Sequence, residues 1–280
     1  MRTIHIDKIV EAVEKLCIDS NYYLNDDILA GLNKSLEVEE SEIGTDILNK
    51  IIENASLAKE KKMAICQDTG MTVVFLDIGQ DVHITGGSLT DAVNEGVRRG
   101  YEKGYLRKSV VRDPVHRVNT NDNTPAIIHY NIVDGENVKI TVAPKGFGSE
   151  NMSALKMLKP SDGLEGIKNF VLETIDRAGP NPCPPIVVGV GIGGTMEKAA
   201  LLAKKALLRP IDTGSDIAYV KELEREMLDS INNLGIGPSG LGGKVTALAV
   251  NIEVFPTHIA GLPVAVNVSC HATRHSEIVI

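Results

Sequence analysis

The stretch PPIVVGVGIGG, residues 184–194, sets the architecture. Two prolines forbid a helix at its start, and the β-branched run that follows reads as a buried strand. Its literal G-x-G-x-x-G also fits a dinucleotide-binding turn, because the next segment, TMEKAALLAKKALL (195–208), is a helix. That segment leads into RPIDTG, which offers no second parallel strand ending in a ribose-binding acid. A simpler role for the glycines is close packing of the strand against the following helix.

Working outward, further helices are expected near 163–178 and 216–233, and two long apolar strands in KVTALAVNIEVF and LPVAVNVSC. On the other side, MTVVFLDIG reads as a strand, and PAIIHYNIV and VKITVAP, separated by Asp134-Gly135, read as a β-hairpin. Three amphipathic stripes mark helices before residue 105: Ile6, Ile9, Val10, Val13, Leu16 and Cys17; then Leu48, Ile51, Ile52 and Ala55; then Leu89, Ala92, Val93, Val97 and Tyr101. Helices and strands are interspersed, so the expectation is an α/β (α+β mixed) fold with a mixed sheet flanked by helices. It is read as one domain over 1–280, helical to about 105 and strand-rich from about 106.

Composition narrows the function. The chain carries 29 basic and 37 acidic residues, a formal net charge of −8, which argues against nucleic acid or an anionic membrane as partner. The N-terminal MRTIHIDKIVEAVEKL is neither a secretory nor a transit signal, and no apolar run approaches the ~20 residues that span a bilayer. A cytoplasmic, reducing compartment follows, in which the four cysteines are thiols or metal ligands.

Cys17 extends the first apolar stripe and reads as core. The other three stand at element ends. Cys66 precedes Gln67 and Asp68, Cys183 lies between prolines in NPCPP, and Cys270 opens CHATRH. They are far apart in sequence with no C-x-x-C pair, so spacing does not favour structural zinc, and neither does Cys270 with His271 and His275, which lacks an H-E-x-x-H acid. On spacing alone, three unrelated loop thiols remain the simplest reading. Arg107, Lys108, Arg112 and Arg117 crowd LRKSVVRDPVHR, either as a solvated loop or as a clamp for a carboxylate. GLGGKVT lacks the Walker spacing and the Ser/Thr after lysine.

Six motifs in order, ICQDTG, RVNTNDNTPA, KGFGSENMSALKML, NPCPPIVVGVGIGG, GPSGLGGKVTALAV and PTHIAGLPVAVNVSCHATRH, resemble the N-terminal, cluster-bearing part of class I fumarate hydratases. The same pattern is similar to the alpha subunit of L(+)-tartrate dehydratase. The resemblance covers roughly residues 10 to 278. It implies a [4Fe-4S] cluster held by Cys66, Cys183 and Cys270, with one open iron to act as a Lewis acid. It also implies that Asp68 is a catalytic acid, that Gln67, Gly148 and His258 contact substrate, and that Arg107 pairs with a substrate carboxylate. Gly146 competes with Gly148 for its role. Single-chain family members continue into a second domain. The expectation is therefore an alpha subunit that needs a separate beta subunit, as alpha2beta2, and hydrates fumarate to L-malate. Dehydration of tartrate to oxaloacetate is the alternative, and a non-catalytic iron–sulfur scaffold or sensor is the rival of another class.

Overall fold

The computed structural model describes residues 2–280. In chain order the elements are β1 (Arg2–His5), α1 (Ile6–Tyr22), α2 (Asp26–Val38), α3 (Glu42–Lys61), β2 (Met71–Gly79), β3 (Val82–Thr85) and α4 (Leu89–Lys103). There follow β4 (Ile127–Val133), β5 (Val138–Lys145), α5 (Phe147–Glu150), β6 (Ala154–Leu158), α6 (Gly163–Ala178), β7 (Ile186–Gly193) and α7 (Met196–Ala206). The last are α8 (Ala218–Asn232), β8 (Ala247–Phe255), β9 (Leu262–Ser269) and β10 (Ser276–Val279). No helix among the described residues is long and apolar enough to cross a membrane.

The chain divides into two compact units, each assembled from separate stretches of sequence. One comprises Met1–Leu24, Ala55–Phe147 and Arg274–Ile280; the other comprises Asn25–Asn54 and Gly148–Thr273. The mixed α/β character expected from the sequence is present, but among the described residues it takes the form of two four-stranded mixed sheets, one per unit, and a two-stranded β1–β3 ribbon.

In the first unit the strand order is β10-β5-β2-β4, with β2 parallel to β4 and antiparallel to β5. The expected β4–β5 hairpin does not form, because β2 lies between the two strands. β2 is buried at Thr72 through Leu76 and needs a partner on each side, whereas β4, largely exposed, is suited to an edge. The Asp134-Gly135 turn instead caps the end of β2. Gly79 N donates to Asn137 O at 2.8 Å and Asp81 N to Gly135 O at 3.0 Å. A side chain on Gly79 would collide with the Gly135 carbonyl, so glycine is required there.

Helices α1 and α4 supply the core beside this sheet. Ile9, Val13, Leu16 and Cys17 of α1 meet Val93, Val97 and Tyr101 of α4 and Val74, Leu76 and Ile140 of the strands. Gly96 and Gly100, four apart on α4, let the helices approach. A Cβ on Gly96 would lie 2.6 Å from Val13 Cβ, and one on Gly100 2.7 Å from Cys17 Cβ. Burial pushes the Cys17 thiol up from its ordinary range, so it stays protonated and apolar, as expected of a core cysteine.

The second unit orders its sheet β6-β9-β7-β8, with β7 parallel to β8 and antiparallel to β9. Alternation along β7 now has a physical reading. Val188 and Val190 enter the core shared with α6 and α8, while Gly189 and Gly191 face α7. A Cβ on Gly189 would strike Ala203 O, and one on Gly191 would strike Ala199 O. The glycines are packing residues, and the next parallel strand, β8, is reached only after both α7 and α8. Helix α2 and strand β6 escape the sequence reading. Only Ile28, Leu32 and Ser35 of α2 are buried, too sparse a stripe to announce a helix, and β6 is five residues long.

Candidate functional site

In the first unit, Cys66, Gln67 and Asp68 sit in the loop between α3 and β2. Buried polar groups fix that loop. The Tyr101 hydroxyl donates to Thr69 O at 2.6 Å and Gly70 O at 3.1 Å, and Asn123 Nδ2 donates to Gly70 O at 3.1 Å. Gly70, at φ +76°, admits no side chain, since a Cβ would lie 2.7 Å from Lys145 N. Arg274, only 6% exposed, donates from Nη2 to Asp68 O at 2.7 Å.

The Asp68 carboxylate is held at both oxygens. Oδ1 accepts from Gly70 N at 3.0 Å and Oδ2 from Phe147 N at 2.9 Å. Each oxygen keeps further lone-pair capacity for a ligand or a proton. Gly146 allows this approach, because a Cβ there would come within 3.2 Å of Asp68 Oδ2. Half-buried Cys66 contacts Gln67 Oε1 at 3.5 Å, and Gln67 itself is exposed. Thr69 Oγ1 donates to Arg107 O at 2.8 Å, which fastens the main chain of Arg107 beside this loop and leaves its guanidinium exposed.

In the second unit, the antiparallel register delivers two distant thiols to one end of the sheet. Val187 of β7 pairs with Ser269 of β9, so Cys183, just before β7, and Cys270, just after β9, share that end. The two segments are bonded directly: Cys183 O lies 2.9 Å from His271 Nδ1 and accepts from His271 N at 3.4 Å. Cys183 is exposed and adopts φ +55°, a left-handed conformation uncommon for a non-glycine residue and typical of sites where neighbours over-determine the backbone. Cys270 is half-buried, and none of the four cysteines is in a disulfide.

His258 lies ahead of β9, as its place just before IAGLPVAV in the sequence implies. It occupies the exposed turn between β8 and β9, at the opposite end of β9 from Cys270. Eight strand residues at ~3.3 Å each put it about 26 Å from the thiol end of its own sheet. The resemblance implied a histidine near the cluster; within this unit β9 lies between it and Cys270. Gly148 has open space, with nothing nearer to an added Cβ than Asn181 O at 3.7 Å, so space alone does not demand glycine there.

Among the described residues, no three His, Cys, Asp or Glu side chains gather as a single-ion cage. A thiolate set for a cuboidal cluster has a different requirement, one soft donor for each occupied corner. Exposed or half-buried thiols at loop positions fit that chemistry; buried Cys17 does not. In the second unit a cavity of about 420 Å³ between α8 and β8 is lined by Asp212, Lys221, Arg225 and Leu228, and by none of the predicted site residues. The GLGGK loop is occupied from within. Glu39 accepts from Lys244 N at 3.0 Å and Val245 N at 2.8 Å. Burial pushes the Glu39 carboxyl up, but the main-chain N–H groups of Lys244, Ser41, Val245 and Glu40 outweigh it and hold it below the ordinary range.

Sequence reasoning missed Asn123, Arg274 and Glu39 as anchors. Tyr101 was read only as one more member of an apolar stripe. The RVNTNDNTPA and CHATRH motifs contain two of the missed residues, but their partners become visible only in three dimensions.

Comparison with known proteins gives a consistent result. A family model described as Fumarate hydratase (Fumerase) matches residues 10–279. A Methanocaldococcus jannaschii protein, provisionally named an L(+)-tartrate dehydratase subunit alpha, is 46% identical over 275 residues, 96% of each chain. The L(+)-tartrate dehydratase subunit alpha of Escherichia coli strain K12 is 32% identical over 279 residues, 98% of this chain and 91% of its own.

Proposed function

The chain belongs to the fumarate hydratase (Fumerase) family of hydro-lyases, and from that premise we propose that it is the alpha subunit of an iron–sulfur enzyme that removes water from a four-carbon hydroxy-dicarboxylate. L(+)-tartrate, going to oxaloacetate, is the first candidate substrate, because the relatives named above are tartrate dehydratase subunits. Fumarate and L-malate, placed first on the sequence alone, become the second, favoured by the description of the family model.

Cys66, Cys183 and Cys270 would hold a [4Fe-4S] cluster. When bound, that group supplies an open iron as a Lewis acid for the leaving hydroxyl. The chain's own residues supply the acid and contacts to the substrate. Elimination takes a hydroxyl from one carbon and a proton from its neighbour. Asp68 is the acid that protonates the departing hydroxyl, its carboxyl oriented by Gly70 N and Phe147 N. Arg107 engages a substrate carboxylate through its planar fork, and Gln67 adds a hydrogen bond. Gly148 lines the approach as backbone. The partner supplies the group that abstracts the carbon-bound proton. His258 is proposed as a polar contact to the substrate, and the assembly as alpha2beta2. A reducing compartment such as the cytoplasm suits the thiols.

The observation that carries this reading is the pairing of Cys183 and Cys270 at one sheet end in a chain matched by the family over residues 10–279. The test is anaerobic co-production with the beta subunit, iron and sulfide analysis, and assays on L(+)-tartrate, L-malate and fumarate. Asp68→Asn should keep its iron and sulfide and lose turnover by about 10²-fold or more. Full activity in that variant, or no turnover of any of the three substrates by the wild-type complex, overturns the reading. A scaffold or sensor would show no turnover to lose.

A further inference from the structure

The first unit carries an arm whose outer part, beyond Arg107, the catalytic reading does not use. Between Tyr105 and Asn123 the chain runs out and back. Val111 bridges Asn119, Arg112 N donates to Val118 O at 2.8 Å, and Thr120 N donates to Val110 O at 2.9 Å. The tip is closed by Asp113, whose Oδ1 accepts from Val115 N at 2.8 Å and His116 N at 2.6 Å. This is an ordered protrusion. Three of its apolar side chains nevertheless face water: Tyr105 is 93% exposed, Val115 80% and Val118 57%. Burying them against a partner would remove from water apolar surface that folding of this chain alone leaves exposed.

The charge on the arm says what kind of partner. Between Lys108 and Val118, Lys108, Arg112 and Arg117 stand against the single carboxylate of Asp113, on a chain whose formal net charge is −8. Tyrosine and arginine beside exposed aliphatic residues is the composition of a protein interface core. A two-fold pairing of two copies through this arm would set the same cations against each other, so self-association here is disfavoured.

We propose that the outer arm, Lys108–Val118 with Tyr105 beside it, is the surface through which this chain docks its beta subunit, and that the partner meets it with an apolar groove rimmed by carboxylates. The proposal rests on reading the chain as an alpha subunit. Its root is continuous with the candidate site. Asn123 accepts from Ser109 N at 2.7 Å while donating to Gly70 O, and Thr69 holds Arg107 O. Docking at the tip therefore braces the loop that carries Asp68.

The experiment measures binding of this chain to the co-produced beta subunit by sedimentation velocity and titration. Val115→Asp combined with Val118→Asp should weaken the complex about 30-fold or more, as loss of a buried interface anchor does, with an unchanged circular dichroism spectrum. Arg112→Glu combined with Arg117→Glu should slow association and reduce its salt dependence. In the unaltered chain, hydrogen exchange of amides 110–118 should slow on binding beta, a readout that survives if a variant misfolds. Wild-type affinity in the valine variant, no added protection of 110–118, or loss of alpha–alpha association instead, each overturns the arm while leaving the enzymatic reading intact. Failure of the wild type to bind beta at all overturns both.

Discussion

Replacing Tyr101 with phenylalanine isolates the anchoring of the Cys66–Gly70 loop. The ring is fully buried between α1 and the sheet and keeps its packing in phenylalanine, so the change removes one hydroxyl donor shared by Thr69 O and Gly70 O. Losing a buried hydrogen bond and leaving a carbonyl short of a donor costs about 1 to 3 kcal/mol, or about 2 to 4 °C in Tm for each kcal/mol in a chain of roughly this size. The chain has no tryptophan, so calorimetry or far-ultraviolet circular dichroism is the appropriate assay. The pH dependence adds a sharper criterion. Burial pushes the Tyr101 hydroxyl above its ordinary 10.0, so it stays protonated in the fold while the unfolded chain ionises. Its contribution is complete below pH 10 and declines above it by about 1.4 kcal/mol per pH unit. Phenylalanine lacks that decline, so the stability gap between wild type and Tyr101→Phe should narrow as pH rises from 10 to 11. A gap below about 0.5 kcal/mol at pH 7, or one that stays constant through pH 11, would refute the argument.

Glu39→Gln should destabilise by about 1 to 3 kcal/mol at pH 7 in urea unfolding, since the carboxylate takes several main-chain hydrogen bonds. Because its folded pKa lies below the ordinary 4.5, the wild-type advantage is present above that value and lost as pH falls further; the glutamine variant should lack this acid-side loss. Gly191→Ala should cost about 1 to 3 kcal/mol by calorimetry, toward the upper end because the obstacle is the α7 backbone. Gly146→Ala should change stability by less than about 1 kcal/mol yet lower kcat of the assembled enzyme, as its methyl group crowds Asp68 Oδ2; unchanged kcat would remove that constraint.

Elements whose burial is settled locally were legible in the sequence. The glycine-bearing strand β7, the strand β2, and the helices α6, α7 and α8 lie where periodicity placed them. What depended on distant partners was not. The Asp134-Gly135 turn chemistry is genuine, but turn chemistry does not say whether a third strand enters between the two it joins, and β2 did so because its apolar run needed two neighbours. The interleaving of two units was equally hidden, since an amphipathic stripe such as that around Leu48 does not specify which core it joins. At the candidate site, residue types and motif order pointed to the three cysteines, Gln67, Asp68 and Arg107. The buried donors that hold the Asp68 loop, Asn123 and Arg274, looked like ordinary loop polars because the carbonyls they serve lie far away in sequence. The place of His258 was legible too, since a residue just ahead of a strand that ends at Cys270 falls at the strand's far end.

The placement of Cys183 and Cys270 at adjoining strand termini makes the sheet a ruler. Neighbouring strands lie about 4.8 Å apart whatever their loops do, so the gauge between these two positions is set by main-chain pairing and not by the surface. Lengthening the turn at 256–261 should leave the gauge untouched, whereas one residue inserted into β7 or β9 would shift the pairing and misalign one sulfur against the other.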